Sequence, residues 1–268
     1  MARLTVSLVL YRPDSDLLRA TLASLVVASR AADLVPDLFL IDNGGSQEAL
    51  AFLALPEAWK VHVFEGHGNV GFGCGHNLSL EGAGDYHLIL NPDLELAPDA
   101  LIQARDFMRA HPECGLIAPA AHWDDGRVQY LCKRVPSVFD LFLRGFAPGW
   151  LRRRFADRMA RYEMQDVIGS QVVWDPPLVS GACMLFRTEV LRRVGGFDSR
   201  FFLYFEDYDL SLRVARITRI AYVPAVKVVH HGGHAARKGL RHIGMFVRGA
   251  ATFFRLHGWI WFLRLPRW

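Results

Sequence analysis

Hydrophobic and polar residues alternate along the chain in blocks that repeat. Leu4 to Tyr11 is almost continuously apolar and rich in β-formers, which predicts a short strand buried on both faces. After the turn Arg12-Pro13-Asp14, Leu17, Leu18, Thr21, Leu22 and Leu25 recur at helical spacing. Leu38 to Ile41 repeats the strand pattern and runs into Asp42-Asn-Gly-Gly-Ser46, followed by a helix-compatible stretch from Gln47 to Leu55. Val61 to Phe64 and Tyr86 to Leu90 are further strands, and Pro98 to Ala110 is a helix that stops before His111-Pro112. Gly115 to Pro119 resumes as a strand. Order weakens between about Trp123 and Asp175, where Arg, Phe and Trp accumulate, and this stretch is expected to be an inserted, partly mobile segment. Leu178 to Phe186 is then a strand, and Thr188 to Val194 a short helix closed by Gly195-Gly196. Leu210 to Ala215, Ile220 to Pro224 and Val226 to His231 complete the ordered part.

Strand, turn, helix, strand is the signature of βαβ units, so the fold class is α/β with a mostly parallel sheet flanked by helices. Ligands in such sheets collect at the carboxyl ends of the strands. Asp42 and Asp93 both stand at such ends, although Asp and Asn also cap helices and make turns there. Asn91-Pro92-Asp93 places a rigid proline between two oxygen-bearing side chains, and one carboxylate is a plausible share of a Mg²⁺ or Mn²⁺ site completed by substrate phosphates.

Gly66-His-Gly68-Asn-Val-Gly71 matches the dinucleotide fingerprint Gly-x-Gly-x-x-Gly. It follows the third strand rather than the first, and further glycines at 73 and 75 predict an extended loop instead of a helix start. That disfavours a nicotinamide or flavin site. Five glycines between residues 66 and 75 nevertheless allow the backbone to approach a ligand closely.

The stretch Phe201 to Asp209 ends an aromatic run in three acids, Glu206, Asp207 and Asp209. Acids in a first helical turn are favoured by the helix dipole, and Asp209 sits four residues before Arg213 as an ion pair. Asp207 shares a helix face with Leu210 and Val214 and therefore points inward, which suits a working carboxylate better than a surface cap.

Several of these stretches occur in one characteristic order. They are Val6-Ser-Leu-Val-Leu-Tyr11, Ile41-Asp-Asn-Gly-Gly-Ser46, Gly68-Asn-Val-Gly-Phe-Gly-Cys-Gly-His-Asn77 and Leu90-Asn-Pro-Asp93, then Val179-Ser-Gly-Ala-Cys-Met-Leu-Phe-Arg187, Gly195-Gly-Phe-Asp198, Phe201 to Arg213 and His230-His-Gly-Gly233. The series resembles family 2 glycosyltransferases, in the rhamnosyltransferase-like branch, over roughly residues 4 to 235. The resemblance implies a GT-A fold, a nucleotide-diphosphate sugar donor (dTDP- or UDP-linked), a divalent metal and inversion at the anomeric carbon. By the same resemblance Tyr11, Pro13, Asp42, Asn69, Gly71, Phe72, Gly73, Asn77, Asn91, Pro92 and Asp93 bind the nucleotide sugar. Asp93 and His230 take the metal, with Asn91 standing where the family's first metal-motif acid is expected and Ala235 where a serine is expected. The resemblance also implies Asp207 as the general base with Glu206 in support, while the small residues Gly181 and Ala182 after Ser180 suit either a floor for a glycan or polyprenyl-linked acceptor or tight strand packing. The expected activity is transfer of a sugar, with rhamnose suggested by the branch, to a hydroxyl of a surface polysaccharide or lipid-linked glycan. The alternative is a metal-dependent nucleotidyltransferase acting on sugar phosphates, which would want a basic residue in the glycine loop, and Gly66 to Asn77 has no Lys or Arg.

Bulk properties set the frame. With 268 residues, 51% hydrophobic and 22% charged, the chain has ample apolar material for one large core. The expected division is a glycosyltransferase domain over 1–235, with a nucleotide-binding half at about 1–120, a variable insert at about 123–175 and an acceptor half at about 176–235, then a basic aromatic helical tail over 236–268. A net charge of +4 suits a phosphate-bearing ligand or an anionic membrane as well as an ordinary solvated face, and does not single out nucleic acid. Cys74, Cys114, Cys132 and Cys183 show no paired spacing and read as buried thiols of a reducing compartment. No window is long and apolar enough to span a bilayer, and Leu4 to Tyr11 is too short for a signal segment. The expected location is cytoplasmic. The Arg- and Trp-rich tail is either a peripheral contact with the inner face of the membrane or a packing helix with exposed arginines.

Overall fold

The structure, a computed structural model, describes residues 2–51, 55–232 and 239–262. Its first half alternates strands and helices: β1 (Leu4–Leu10), α1 (Ser15–Ala31), β2 (Asp37–Asp42), α2 (Gln47–Ala51), β3 (Lys60–Phe64), α3 (Phe72–Asn77) and β4 (Tyr86–Leu90). Strand β1 is buried at every position, and α1 starts at Asp14, whose carboxylate accepts the N–H groups of Asp16 and Leu17. The predicted helix to Leu55 is described only as far as Ala51, because 52–54 lie outside the described residues. The chain continues through β5 (Leu94–Leu96), α4 (Ala100–Ala110) and β6 (Cys114–His122).

Residues 123–175 are more regular than their weak periodicity implies. They form β7 (Val128–Gln129), β8 (Cys132–Lys133), α5 (Val138–Gly145), α6 (Gly149–Arg154), α7 (Ala156–Tyr162) and β9 (Val173–Trp174). Short helices of this kind carry too few turns to show a period, and tertiary pairing holds them instead. Ser137 and Asp140 close a capping box at the start of α5, and the buried Asp140 carboxylate also takes Arg158 Nε of α7 at 2.5 Å.

The last part holds β10 (Leu178–Val179), β11 (Cys183–Arg187), α8 (Thr188–Arg193), α9 (Glu206–Val214), β12 (Arg219–His230) and α10 (Leu240–His257). The strand expected from Leu178 to Phe186 is therefore broken at Ser180-Gly181-Ala182. The two strands expected before and after Pro224 are one, with a register shift between Val223 and Lys227 that accommodates the proline.

Among the described residues the main sheet runs β3-β2-β1-β4-β11-β6-β12-β5, with β7 and β9 attached. Strands β1 to β4 pair in parallel, as do β6 and β12, whereas β11 is antiparallel to both its neighbours. This mixed, mostly parallel sheet flanked by helices aligns the ends of β1, β2 and β4 on one edge, with Asp42 and the Asn91-Pro92-Asp93 turn along it.

Helix α10 joins the core through Phe253 and Phe254, which pack with Phe201, Phe205 and Tyr208 of the acidic stretch. Burying each such ring contributes about 2 kcal/mol. The packing alternative for this part of the tail is therefore realised on its inner face, and Arg241, Arg248 and Arg255 lie on the outside. Residues 233–238, including Ala235, and 263–268, including Trp268, lie outside the described residues.

Candidate active site

A cleft of about 610 Å³ opens at the carboxyl edge between the sheet, α9 and the 123–175 segment. It gathers Phe72, Asn91, Asp93, Ser180, Gly181, Ala182, Glu206, Asp207 and His230 from the expected residues, drawn from positions up to 158 apart (230 − 72).

Helix α9 delivers the acids. Tyr204 and Phe205, immediately before it, both adopt left-handed backbone, φ 72° and 70°. Each costs on the order of 1–2 kcal/mol for a side chain of this kind. The cost is offset by packing: Phe205 contacts Phe246 and Phe253 of α10, and Tyr204 Oη lies 2.9 Å from His242 Nδ1. The turn thus created directs Glu206 and Asp207 to the cleft at the positive end of the helix dipole.

The two acids are held differently. Asp207 Oδ2 accepts the Gly181 N–H and Oδ1 the Tyr208 N–H, both at 2.9 Å. Burial pushes its carboxyl upward, and these N–H groups together with the charge of Arg144 oppose that shift. Glu206 is only 4% exposed, and its Oε2 has no hydrogen-bond partner. Burial, reinforced by the neighbouring Asp207 charge, raises Glu206 well above the usual carboxylate range. Of the two, Asp207 with its two N–H donors is the better placed to carry the negative charge, and Glu206, without such donors on Oε2, holds its proton the more tightly. Asp209 is turned away, buried between Arg213 Nε at 2.7 Å and His257 Nε2 at 2.9 Å, which makes the expected ion pair part of the core.

Across the cleft, His230 Nδ1 lies 2.7 Å from Gln129 Oε1, while Nε2 faces Asp93 Oδ1 at 3.4 Å without a hydrogen bond. Gln129 fixes the tautomer in which Nδ1 donates and the Nε2 lone pair points at the carboxylate. A carboxylate and an imidazole lone pair converging in this way fit a divalent cation. Among the described residues no three His, Cys, Asp or Glu side chains are placed to hold one alone, so phosphate oxygens or water would complete the shell. His231 faces elsewhere, 2.7 Å from Glu95 and 3.1 Å from Asp124. Gly232 closes the cradle, because a Cβ there would lie 1.8 Å from Asp93 Oδ2.

The remaining expected residues line no part of this cleft. Tyr11, Pro13 and Asp42 lie along the edge at β1 and β2, where Tyr11 is half-exposed and Asp42 Oδ1 accepts the Gly44 N–H. The glycine stretch is not an extended loop throughout. After Gly71 it forms α3, because Gly73 and Gly75 let the helix lie against Phe197 and Val9, where a Cβ would come within 2.6 and 2.7 Å. Asn69 Oδ1 caps Gly71 N–H, and Asn43, which sequence reasoning missed, donates from Nδ2 to Gly71 O. Asn77 plays a structural part, since its amide donates to Phe197 O and accepts Phe197 N–H, both at 2.8 Å, which engages both ends of the group. His76 is likewise interior, hydrogen-bonded to Ser7, and burial keeps it neutral. Pro92 shapes the turn between Asn91 and Asp93 and lines no part of the cleft.

Sequence reasoning also missed Gln129, Lys133 and Arg144 of the insert, all of which line the cleft.

Comparison with known proteins agrees with this architecture. The model of "Glycosyl transferase family group 2" matches residues 93–236. An "N-acetylglucosaminyl-diphospho-decaprenol L-rhamnosyltransferase" of Mycobacterium tuberculosis is 29% identical over 279 residues, covering 96% of this chain and 86% of the relative. A rhamnosyltransferase of Escherichia coli is 28% identical over 62% of this chain and 63% of its own length. Among solved structures, a mannosyltransferase from Pyrobaculum calidifontis in complex with GDP-Man and Mn²⁺ superposes with a TM-score of 0.61 at 20% identity, over 95% of this chain and 64% of that one. The fold is thus of the GT-A type, the nucleotidyltransferase alternative falls away, and the chain is an enzyme belonging to glycosyl transferase family 2.

Proposed function

We propose that the chain transfers a deoxyhexose such as rhamnose, with inversion, from a dTDP- or UDP-linked donor to a hydroxyl of a lipid-linked glycan. The observation that carries this reading is the Asp207 carboxylate, held by the Gly181 N–H at the floor of the cleft that Asp93 and His230 share. Asp207 accepts the proton of the acceptor hydroxyl as its oxygen attacks the anomeric carbon from the side opposite the departing nucleoside diphosphate. A proton on Glu206 keeps a second negative charge away from that base. Asp93 and His230 would hold Mg²⁺ or Mn²⁺, which neutralises charge on the leaving diphosphate. Tyr11, Pro13, Asp42 and Asn69 take the base and ribose along the strand edge, and Ser180 to Ala182 seat the acceptor sugar.

The acceptor class follows the names of the relatives, one of which acts on a diphospho-decaprenol. Among the described residues no helix is long and apolar enough to cross a membrane. Exposed Ile243, Val247, Trp259, Trp261 and Phe262, with Arg241, Arg248 and Arg255 on α10, support peripheral contact with the anionic inner face of the cell membrane. Release of nucleoside diphosphate from dTDP- and UDP-sugars, measured with and without Mn²⁺, tests the reading. It fails if no donor is turned over and no nucleotide raises the Tm.

A further inference from the structure

Two cations stand beside one tyrosine on the insert side of the cleft. Lys133 Nζ lies 5.8 Å from the Tyr162 ring centre and 3.3 Å from Glu163 Oε1. Arg144 Nη1 reaches the hydroxyls of Tyr162 and Tyr208, both at 3.4 Å, and has no acidic ion-pair partner among the described residues. Tyr208 is the residue after Asp207, so Arg144 sits next to the base. A guanidinium in a concave wall with only two long contacts to neutral hydroxyls has donors to spare for an anion.

The surface beyond Arg144 changes character. Phe246 lines the cleft and its ring lies 6.2 Å from that of Phe146, which is exposed, and Trp150 further along the same segment is 66% exposed. A base, two cations and apolar rings gathered around one cleft are the groups that a sugar joined through phosphate to a lipid would need. The donor diphosphate is accounted for elsewhere, at Asp93 and His230.

Resting on the reading above, we propose that Arg144, aided by Lys133, binds the phosphate groups that link the acceptor sugar to its lipid. The enzyme thereby selects acceptors carrying a diphosphate over the same sugar without one. Charge-assisted contacts of this kind are worth about 10- to 100-fold in affinity.

The test compares kcat/KM for two acceptors with the same sugar, one carried on a short prenyl diphosphate and the other on an alkyl glycoside. The wild type is expected to prefer the diphosphate by at least about tenfold, and Arg144→Ala and Lys133→Met to reduce that ratio toward one, with Arg144→Lys restoring part of it. An effect of Arg144 on Asp207 alone would slow both acceptors equally and leave the ratio intact, which overturns the proposal. Transfer to neither acceptor by the wild type instead strikes the function proposed above. The subsite is then decided by geranyl diphosphate binding in EDTA: loss in Arg144→Ala with an unchanged Tm supports it, and equal binding overturns it.

Discussion

Gly232→Ala separates the cation cradle from the fold. The new Cβ would lie 1.8 Å from Asp93 Oδ2 and 3.3 Å from His230 Nε2, whereas real Cβ contacts stay beyond 3.0 Å. The Asp93 carboxylate must therefore retreat by at least 1.2 Å (3.0 − 1.8). Asp93 Cγ would lie 2.8 Å away as well, so the whole carboxylate must turn aside, a movement of one side chain rather than of the backbone. The position of the carboxylate relative to His230 and the donor is lost, and a displacement of about 1 Å at a reacting centre costs about 100-fold in rate. Nucleoside diphosphate release is expected to fall by that order, with Tm within a few degrees of wild type and a markedly higher Mn²⁺ requirement. Activity within threefold of wild type, or a loss matched by unfolding, would refute the reasoning.

Three further outcomes follow from the same geometry. Glu206 keeps its proton in the fold up to about pH 8 but releases it near 4.5 when unfolded, so its stabilising share is full below 4.5 and is lost as pH rises through that interval. The Tm of Glu206→Gln minus that of wild type should therefore grow between pH 5 and 8, and a constant difference would contradict the assignment. Asp209→Ala strands Arg213 and His257 in the interior and should cost about 3 kcal/mol by urea titration while sparing activity per folded molecule. Asp140→Ala removes the carboxylate half of the α5 capping box and the acid that pairs with Arg158, leaving Ser137 as N-cap, and should destabilise by about 2 kcal/mol, read as a lower urea midpoint.

What could be read from the sequence was local. The apolar runs of β1, β2 and β4 and the spacing of α1 are short-range patterns, and the acids at their ends stand out because few residue types suit a strand terminus. Asp207 was legible because its spacing to Leu210 and Val214 is a property of one helix. The cleft's other wall was not, because it depends on contacts between distant positions. Gln129 orients His230 from 101 residues away, and Arg144 reaches Tyr208 across 64. The left-handed pair Tyr204-Phe205 is invisible in sequence for a related reason: neither residue prefers that conformation, and α10, some 40 residues on, imposes it. Helix α3 was missed because glycines that weaken a helix in solution are here required for its contact with Phe197 and Val9. Asp209 shows the converse: the pair with Arg213 follows from spacing, but burial under His257 does not.

Whether Asp207 is the base or a helix cap decides the mechanism. Asp207→Asn keeps the size of the side chain, and its amide oxygen can still accept the Gly181 N–H, while the group that takes the proton is gone. Single-turnover transfer by the purified variant is the direct measurement, with Tm and nucleotide binding determined on the same sample. If Asp207 is the base, transfer falls by at least about 1000-fold with Tm and donor affinity unchanged. Transfer per folded molecule close to wild type, or loss explained by unfolding, would contradict it.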